Sequence, residues 1–202
     1  MSVIEEFNII VAGVGGQGIL FTTNVLARTA LKMGINFVQS EVHGLSQRYG
    51  SIRTELRIGS EVHSPLILEG TLDLLIGMEP LETLRQAPYI SERTTVVMSD
   101  HMIVPMAAYL SRFRVPSLEE IIEAIKSLNP KKLFTVDAYG LAEKAGDYIA
   151  ANVVILGAAQ ASGAIPFPED LIREAISELS PARYRDLNLR AFDLGREASL
   201  PR

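Results

Sequence analysis

The chain contains no cysteine among its 202 residues. That excludes disulfides, a thiolate nucleophile, a CxxC redox pair, and any cysteine-ligated zinc or iron–sulfur cluster carried by this chain. If it serves electron transfer, the electrons reside on something it binds. Histidine is scarce too: His43, His63 and His101 stand far apart, outside any HExxH-like ligand spacing. An excess of positive charge is also missing, with 19 Lys and Arg against 24 Asp and Glu and a net charge of −5. Nucleic acid is a poor partner for such a surface. No apolar stretch approaches the 18 or so residues of a membrane span. The opening Met1 to Glu6 has no basic segment of the signal-peptide kind, so the expected compartment is the cytoplasm. Repeats and low-complexity segments are absent.

What remains is ordinary globular composition, 48% apolar and 21% charged. A chain of this length typically buries roughly 70% of the surface its unfolded form exposes, so one sizeable core and one domain are expected. Phe7 to Ala12 is a short, nearly continuous apolar run that reads as a buried strand. Gly13 to Gly18 reads as a turn, and Ile19 to Met33 as a helix ending at Gly34. Ile35 to Val38 is expected as a second strand after the crossover, completing a Rossmann-like opening unit. The fold class predicted is α/β, a three-layer sandwich with a mostly parallel or mixed central sheet and a helical C-terminal segment.

Gly13, Gly15 and Gly18 satisfy GxGxxG, a spacing that permits a tight turn and brings backbone amides and a helix N-terminus towards an anion. A dinucleotide site also needs a carboxylate about 20 residues on. Glu41 comes 28 positions after Gly13 and past the expected strand end. An anion or cofactor edge shared with a partner, a private dinucleotide site and plain tight packing therefore all stand as readings of the turn.

The stretch from Ser40 to Ser51 sets hydroxyls, a carboxylate, an imidazole, an amide and a guanidinium just after a predicted strand. Open α/β sheets place their ligand loops there. Arg48 has no core to support in such a loop and is expected to meet a ligand or a partner. His43 suits a bond to the loop backbone as well as a ligand contact. Ile52, Thr54, Leu56 and Ile58 then alternate with Arg53, Glu55 and Arg57. They predict a strand with one apolar face and one solvated face whose charges partly satisfy one another.

A hairpin turn at Gly59 to Glu61 should return through Val62 to Ser64 as an edge, stopped by Pro65. Strands are expected at Leu72 to Ile76, Thr94 to Met98 and Lys132 to Val136. Pro80 should open a helix, and Met102, Ile103, Met106 and Leu110 should fill core around a short one. Ser117 and Glu120 match a capping box, and Asp137 a helix cap. From Tyr148, Ala and Gly residues mark a helix that neighbours can approach closely. Two further helices are expected from Asp170 to Leu179 and onwards to about Arg196, so that 148–202 packs as a helical part on the single domain 1–202.

Taken in order, GVGGQG at 13–18, SEVHGLSQRYGS at 40–51, SPLILEG at 64–70, MEPLETLR at 78–85, AANVVILGAA at 150–159 and NLRAFDLG at 188–195 cover nearly the whole chain. This set resembles the gamma-type domain of the 2-oxoacid:ferredoxin oxidoreductases, most of all the branch acting on aryl 2-oxo acids such as indolepyruvate. The resemblance implies a larger partner subunit carrying thiamine diphosphate and cysteine-bound [4Fe–4S] clusters, with ferredoxin as acceptor and coenzyme A as cosubstrate, and no cofactor bound by this chain alone. It implies that Gly13, Gly15, Gly16, Gln17 and Gly18 form a cofactor- or partner-facing loop. Ser46 and Gln47 belong to a second such loop, with Gly44, and Glu41, His43 and Arg48 are its candidates for catalytic contacts. Tyr49 stands where many members have glycine, so a positive φ is not demanded there. Gamma subunits for pyruvate, 2-oxoglutarate or branched-chain 2-oxo acids, a stand-alone NAD-dependent dehydrogenase and a purely structural interaction module remain as alternatives.

The late position of Glu41 predicts that the isolated chain shows no micromolar binding of NAD by calorimetry. Micromolar binding that disappears in Gly15→Val would promote the dehydrogenase reading.

Overall fold

A computed structural model describes residues 4–44, 50–105, 108 and 114–199. Its core is a six-stranded sheet in the order β2-β3-β1-β4-β5-β6. The strands are β1 (Phe7–Val14), β2 (Phe37–His43), β3 (Ser51–Ile58), β4 (Leu74–Gly77), β5 (Thr95–Ser99) and β6 (Lys132–Val136). Parallel pairing joins β1, β4, β5 and β6, whereas β3 runs antiparallel to both its neighbours. The sheet is therefore mixed, as expected.

Both faces are covered. Alternation sends Ile9 and Val11 of β1 to one side, with Leu56, Leu74, Ile76 and Val97. Ile10 and Ala12 go to the other, with Leu75, Val96 and Met98. The first side carries α1 (Ile19–Lys32), α4 (Ala138–Ala145), α5 (Ala151–Ala161), α6 (Glu169–Leu179) and α7 (Arg185–Ser199). The second carries α2 (Pro80–Leu84), α3 (Leu118–Ser127) and the irregular stretch through Ile67 and Leu72. Three layers result.

The helix signals read from the sequence have their counterparts. Ser117 Oγ accepts from Glu120 N at 3.3 Å, and the Glu120 carboxylate accepts from Ser117 N at 2.8 Å, closing the capping box of α3. Asp137 caps α4 by accepting from Gly140 N at 2.8 Å. In α5, Val153 to Leu156 are helical and buried. The small residues there serve a backbone contact with α7. A Cβ at Gly157 would lie 2.1 Å from the Phe192 carbonyl oxygen, and one at Gly195 would lie 2.0 Å from that of Val154.

Three expectations are corrected. The opening unit is not a simple βαβ pair, because β3 is wedged between β1 and β2. Leu56 and Ile58 of β3 are fully buried in the core that α1 shares, whereas β2 is half-exposed at the edge of the sheet. No return strand follows Gly59: residues 62–69 cross the sheet face without regular structure. That crossing changes the fate of the charged face of β3. Glu55 is only 1% exposed, paired with Arg53 at 2.8 Å and accepting from Ile67 N at 3.0 Å. The Arg57 guanidinium binds the Asn8 side chain and the Ser64 carbonyl at 3.0 and 2.8 Å. The charges satisfy one another as expected, but under cover rather than in solvent. Met102 packs on the second core as expected, in a stretch that is irregular through Ile103; Met106 and Leu110 lie outside the described residues.

Because Gly157 touches backbone, Gly157→Val should overpack the α5–α7 contact and cost about 1–3 kcal/mol. At this chain size the melting temperature should fall by roughly 2–12 °C. An unchanged melting curve would show that the two helices are not held at this separation.

Candidate functional site

The carboxyl ends of β1, β4, β5 and β6 and the turn joining β2 to β3 share one edge of the sheet. Chain winding reverses there: β1 leads through α1 to β2 on one side, β4 to β5 and β6 on the other. A reversal of this kind opens the crevice in which α/β sheets hold ligands.

The glycine turn fills the β1 side of that crevice. Gly16 and Gly18 have φ of 100° and 74°, a region that favours glycine. Gly13 is glycine for another reason: a Cβ there would lie 2.7 Å from Gln17 Oε1 and 2.8 Å from Met78 Cβ. Gln17 folds back across the crevice. Its Oε1 accepts from Val14 N at 2.8 Å, while Nε2 donates to the Met78 carbonyl at 3.0 Å and to the Tyr139 hydroxyl at 3.2 Å. One side chain thus joins the ends of β1 and β4 to the start of α4. From α5, Asn152 Nδ2 donates to the Gly18 carbonyl at 3.2 Å. Helix α1 begins there with neither a side-chain cap nor an acidic residue in its first turn. Beside it, Gly16, Phe21, Ile149, Asn152 and Tyr184 help to line an open groove of about 280 Å³.

The second loop is tied to the first at its feet. Gly15 N donates to the Gly50 carbonyl at 3.0 Å, and Gly44 N to that of Ser51 at 2.8 Å. Glu41 and His43 end β2, 3.1 Å apart and exposed on the edge strand. With β3 between, they do not converge on the glycine turn. Ser46, Gln47 and Arg48, with Tyr49, lie outside the described residues. On this side the strand beside β1 is β3, whose first residue, Ser51, donates to Glu82 at 2.6 Å. The strand position where a ribose-binding carboxylate is expected thus holds a serine.

Two carboxylates that the sequence reading passed over lie beside the crevice. Glu79 and Glu82 are only 1% and 5% exposed. Glu79 caps α2, accepting from Glu82 N at 2.8 Å and from Ile103 N at 3.2 Å. Glu82 holds Ser51 and meets Arg85 Nε at 3.2 Å. Burial pushes the Glu79 carboxyl above the usual carboxylate range and the neighbouring Glu82 charge adds to it, against the backbone N–H donors. Burial, aided by Asp137, also raises Asp100 beyond β5. Tyr139 stacks on His101, ring centroids 4.1 Å apart. A glutamate before proline is no strong cap signal, and nothing local marks Tyr139 or Asn152 as reaching the turn.

Among the described residues no three His, Asp or Glu side chains converge to hold a metal ion. The donor set does not fit a thiolate-ligated cluster either, since no cysteine exists. No helix of the described residues is long and apolar enough to cross a membrane.

The sequence profile of the pyruvate ferredoxin/flavodoxin oxidoreductase family matches residues 8–198. The chain belongs to this family. Among its relatives, the indolepyruvate oxidoreductase subunit IorB of Archaeoglobus fulgidus is 40% identical over 190 residues, 94% of either chain. IorB of Pyrococcus horikoshii is 37% identical over 196 residues, 97% of either chain. The crystal structure of pyruvate oxidoreductase subunit PORC from Thermotoga maritima superposes with a TM-score of 0.72, covering 96% of this chain and 97% of that one. At 22% identity that last likeness speaks for the fold alone. The family resemblance read from the ordered motifs is thereby established, with a close relation to the archaeal IorB subunits.

Glu79 carries a sign-definite pH prediction. A carboxyl raised in the folded state contributes stability that is complete below its unfolded value and lost as pH rises through the folded one. Relative to Glu79→Gln, the wild-type melting temperature should therefore fall steadily as pH climbs from below the ordinary glutamate range towards neutrality. A constant difference, or a relative gain by wild type, would contradict the direction assigned to Glu79.

Proposed function

We propose that this chain is the small, cofactor-free beta subunit of an indolepyruvate:ferredoxin oxidoreductase, working in the cytoplasm as one unit over residues 1–202. The observation that carries this reading is the 40% identity with an archaeal IorB subunit along 94% of both chains. The absence of cysteine agrees with a division of labour in which a larger partner bears the clusters. Thiamine diphosphate on that partner would supply the carbanion chemistry for decarboxylating an aryl 2-oxo acid. The overall reaction would convert the 2-oxo acid and coenzyme A to carbon dioxide and the acyl-coenzyme A thioester, with two electrons delivered to ferredoxin.

This chain's part is positional. The Gly13–Gly18 turn is clasped by Gln17, its Gly15 and Gln17 amides are bonded within the chain, and it presents the uncapped start of α1 at the crevice. Glu41, His43, Ser46, Gln47 and Arg48 are the residues assigned to the second loop, and Gly50, which follows them, is bonded to Gly15 of the turn. Arg48 is the charged side chain assigned to carboxylate or phosphate, because a guanidinium fork holds either in a bidentate grip.

Mixed with a 2-oxo acid, coenzyme A and a viologen acceptor, the isolated chain should show no turnover; activity should appear on reconstitution with the larger subunit. In the same assay Arg48→Ala should lower activity with the fold intact, and lysine should restore it only in part. Varying each substrate then separates a raised KM for one ligand from failed assembly. Turnover by the isolated chain would end the subunit reading, and wild-type kinetics with wild-type assembly would remove Arg48 from the site.

A further inference from the structure

The stretch that covers the charged face of β3 carries an apolar ridge on its outer side. Leu66 is 64% exposed and Leu68 is 71% exposed, while Ile67 between them is buried in the second core. Single exposed leucines are common on protein surfaces. This pair differs because it is held. The Ser64 carbonyl accepts from the Arg57 guanidinium at 2.8 Å and Ile67 N donates to the buried Glu55 carboxylate at 3.0 Å. The Leu68 carbonyl accepts from the Thr71 hydroxyl at 2.8 Å and from Thr71 N at 3.2 Å. Pro65 restricts φ within the stretch, and Val62 anchors its start in the interior. Two charged side chains of an inner strand are thus committed to fixing an extended run whose outward residues are leucines. The backbone that carries those leucines is already fixed, so covering them costs little further chain ordering. The charged residues that flank the ridge along the stretch, Glu61 and Glu69, are both acidic and exposed.

We propose that the Leu66–Leu68 ridge docks into an apolar groove rimmed by Lys or Arg on the larger subunit of the complex. This rests on the subunit reading above. A second copy of this chain is a poor occupant, because a self-contact would set Glu61 and Glu69 against an acidic rim on a chain of net charge −5.

The test uses the full chain carrying Leu66→Ser and Leu68→Ser, titrated against the larger subunit by calorimetry, with a melting curve and a sizing run of the chain alone. The double variant should melt close to wild type yet bind at least about tenfold more weakly, since each leucine loses its burial in the groove. Glu69→Lys should slow association at low salt, with the effect fading as salt rises. If the double variant melts early, Leu68→Ser alone gives the same reading. Wild-type affinity of the folded variants would overturn the proposal. So would a wild-type dimer that the variants break while assembly with the larger subunit stays unchanged. If the wild-type chain itself fails to bind the larger subunit, the subunit reading falls and the ridge's role falls with it.

Discussion

The crevice depends on one side chain, the carboxamide of Gln17. Its oxygen accepts from the last residue of β1, and its nitrogen donates to the chain leaving β4 and to a tyrosine at the start of α4. An amide is suited to this because it presents an acceptor and two donors in fixed directions. The glycines follow from the clasp. Gly13 must lack a Cβ because the Gln17 oxygen occupies that space, and Gly16 and Gly18 take left-handed conformations so that the turn can fold back over the strand end. GxGxxG here serves a clasp inside the protein first and any ligand second.

The surrounding structure extends the same principle of polar groups tying strand ends together. Gly50 holds Gly15, Glu82 holds Ser51, and Glu79 holds Ile103, so the chain leaving β1, β4 and β5 and the chain entering β3 are laced into one rim. Behind the rim the two faces are covered differently. Small residues let α5 and α7 touch backbone to backbone on one face. On the other, the buried Glu55 carboxylate and the half-buried Arg53 and Arg57 that flank it on β3 lie beneath an irregular strap. Burying such charges is tolerable because each finds opposite charge or backbone partners.

Features with local causes were legible in the sequence. The buried strand and glycine turn at 7–18, the strand cores near Leu75, Val97 and Phe134, the capping box at Ser117 and the cap at Asp137 all rest on residues within a few positions of one another. What escaped depends on distant segments. Alternation in β3 shows that one face is apolar, but not that β3 lies between β1 and β2, nor that a strap from 62 onwards covers Arg53, Glu55 and Arg57. Glu79, Glu82, Tyr139 and Asn152 reach the crevice through tertiary packing, without a spacing to announce them. Of the proposed loop residues, the glycine turn and Gln17 sit at the crevice, whereas Glu41 and His43 end on the exposed edge of β2.

Amide hydrogen exchange in Gln17→Ala tests most directly whether the clasp holds the rim together. The readout that matters is at Gly15 and Met78, whose backbone N–H groups are bonded to Gly50 and Ala12 rather than to Gln17. With the clasp removed, both amides should exchange faster than in wild type, while amides in the centres of β4 and β5 keep their protection. Unchanged exchange at Gly15 and Met78 would show that the rim stands without Gln17 and that its carboxamide is only a local contact.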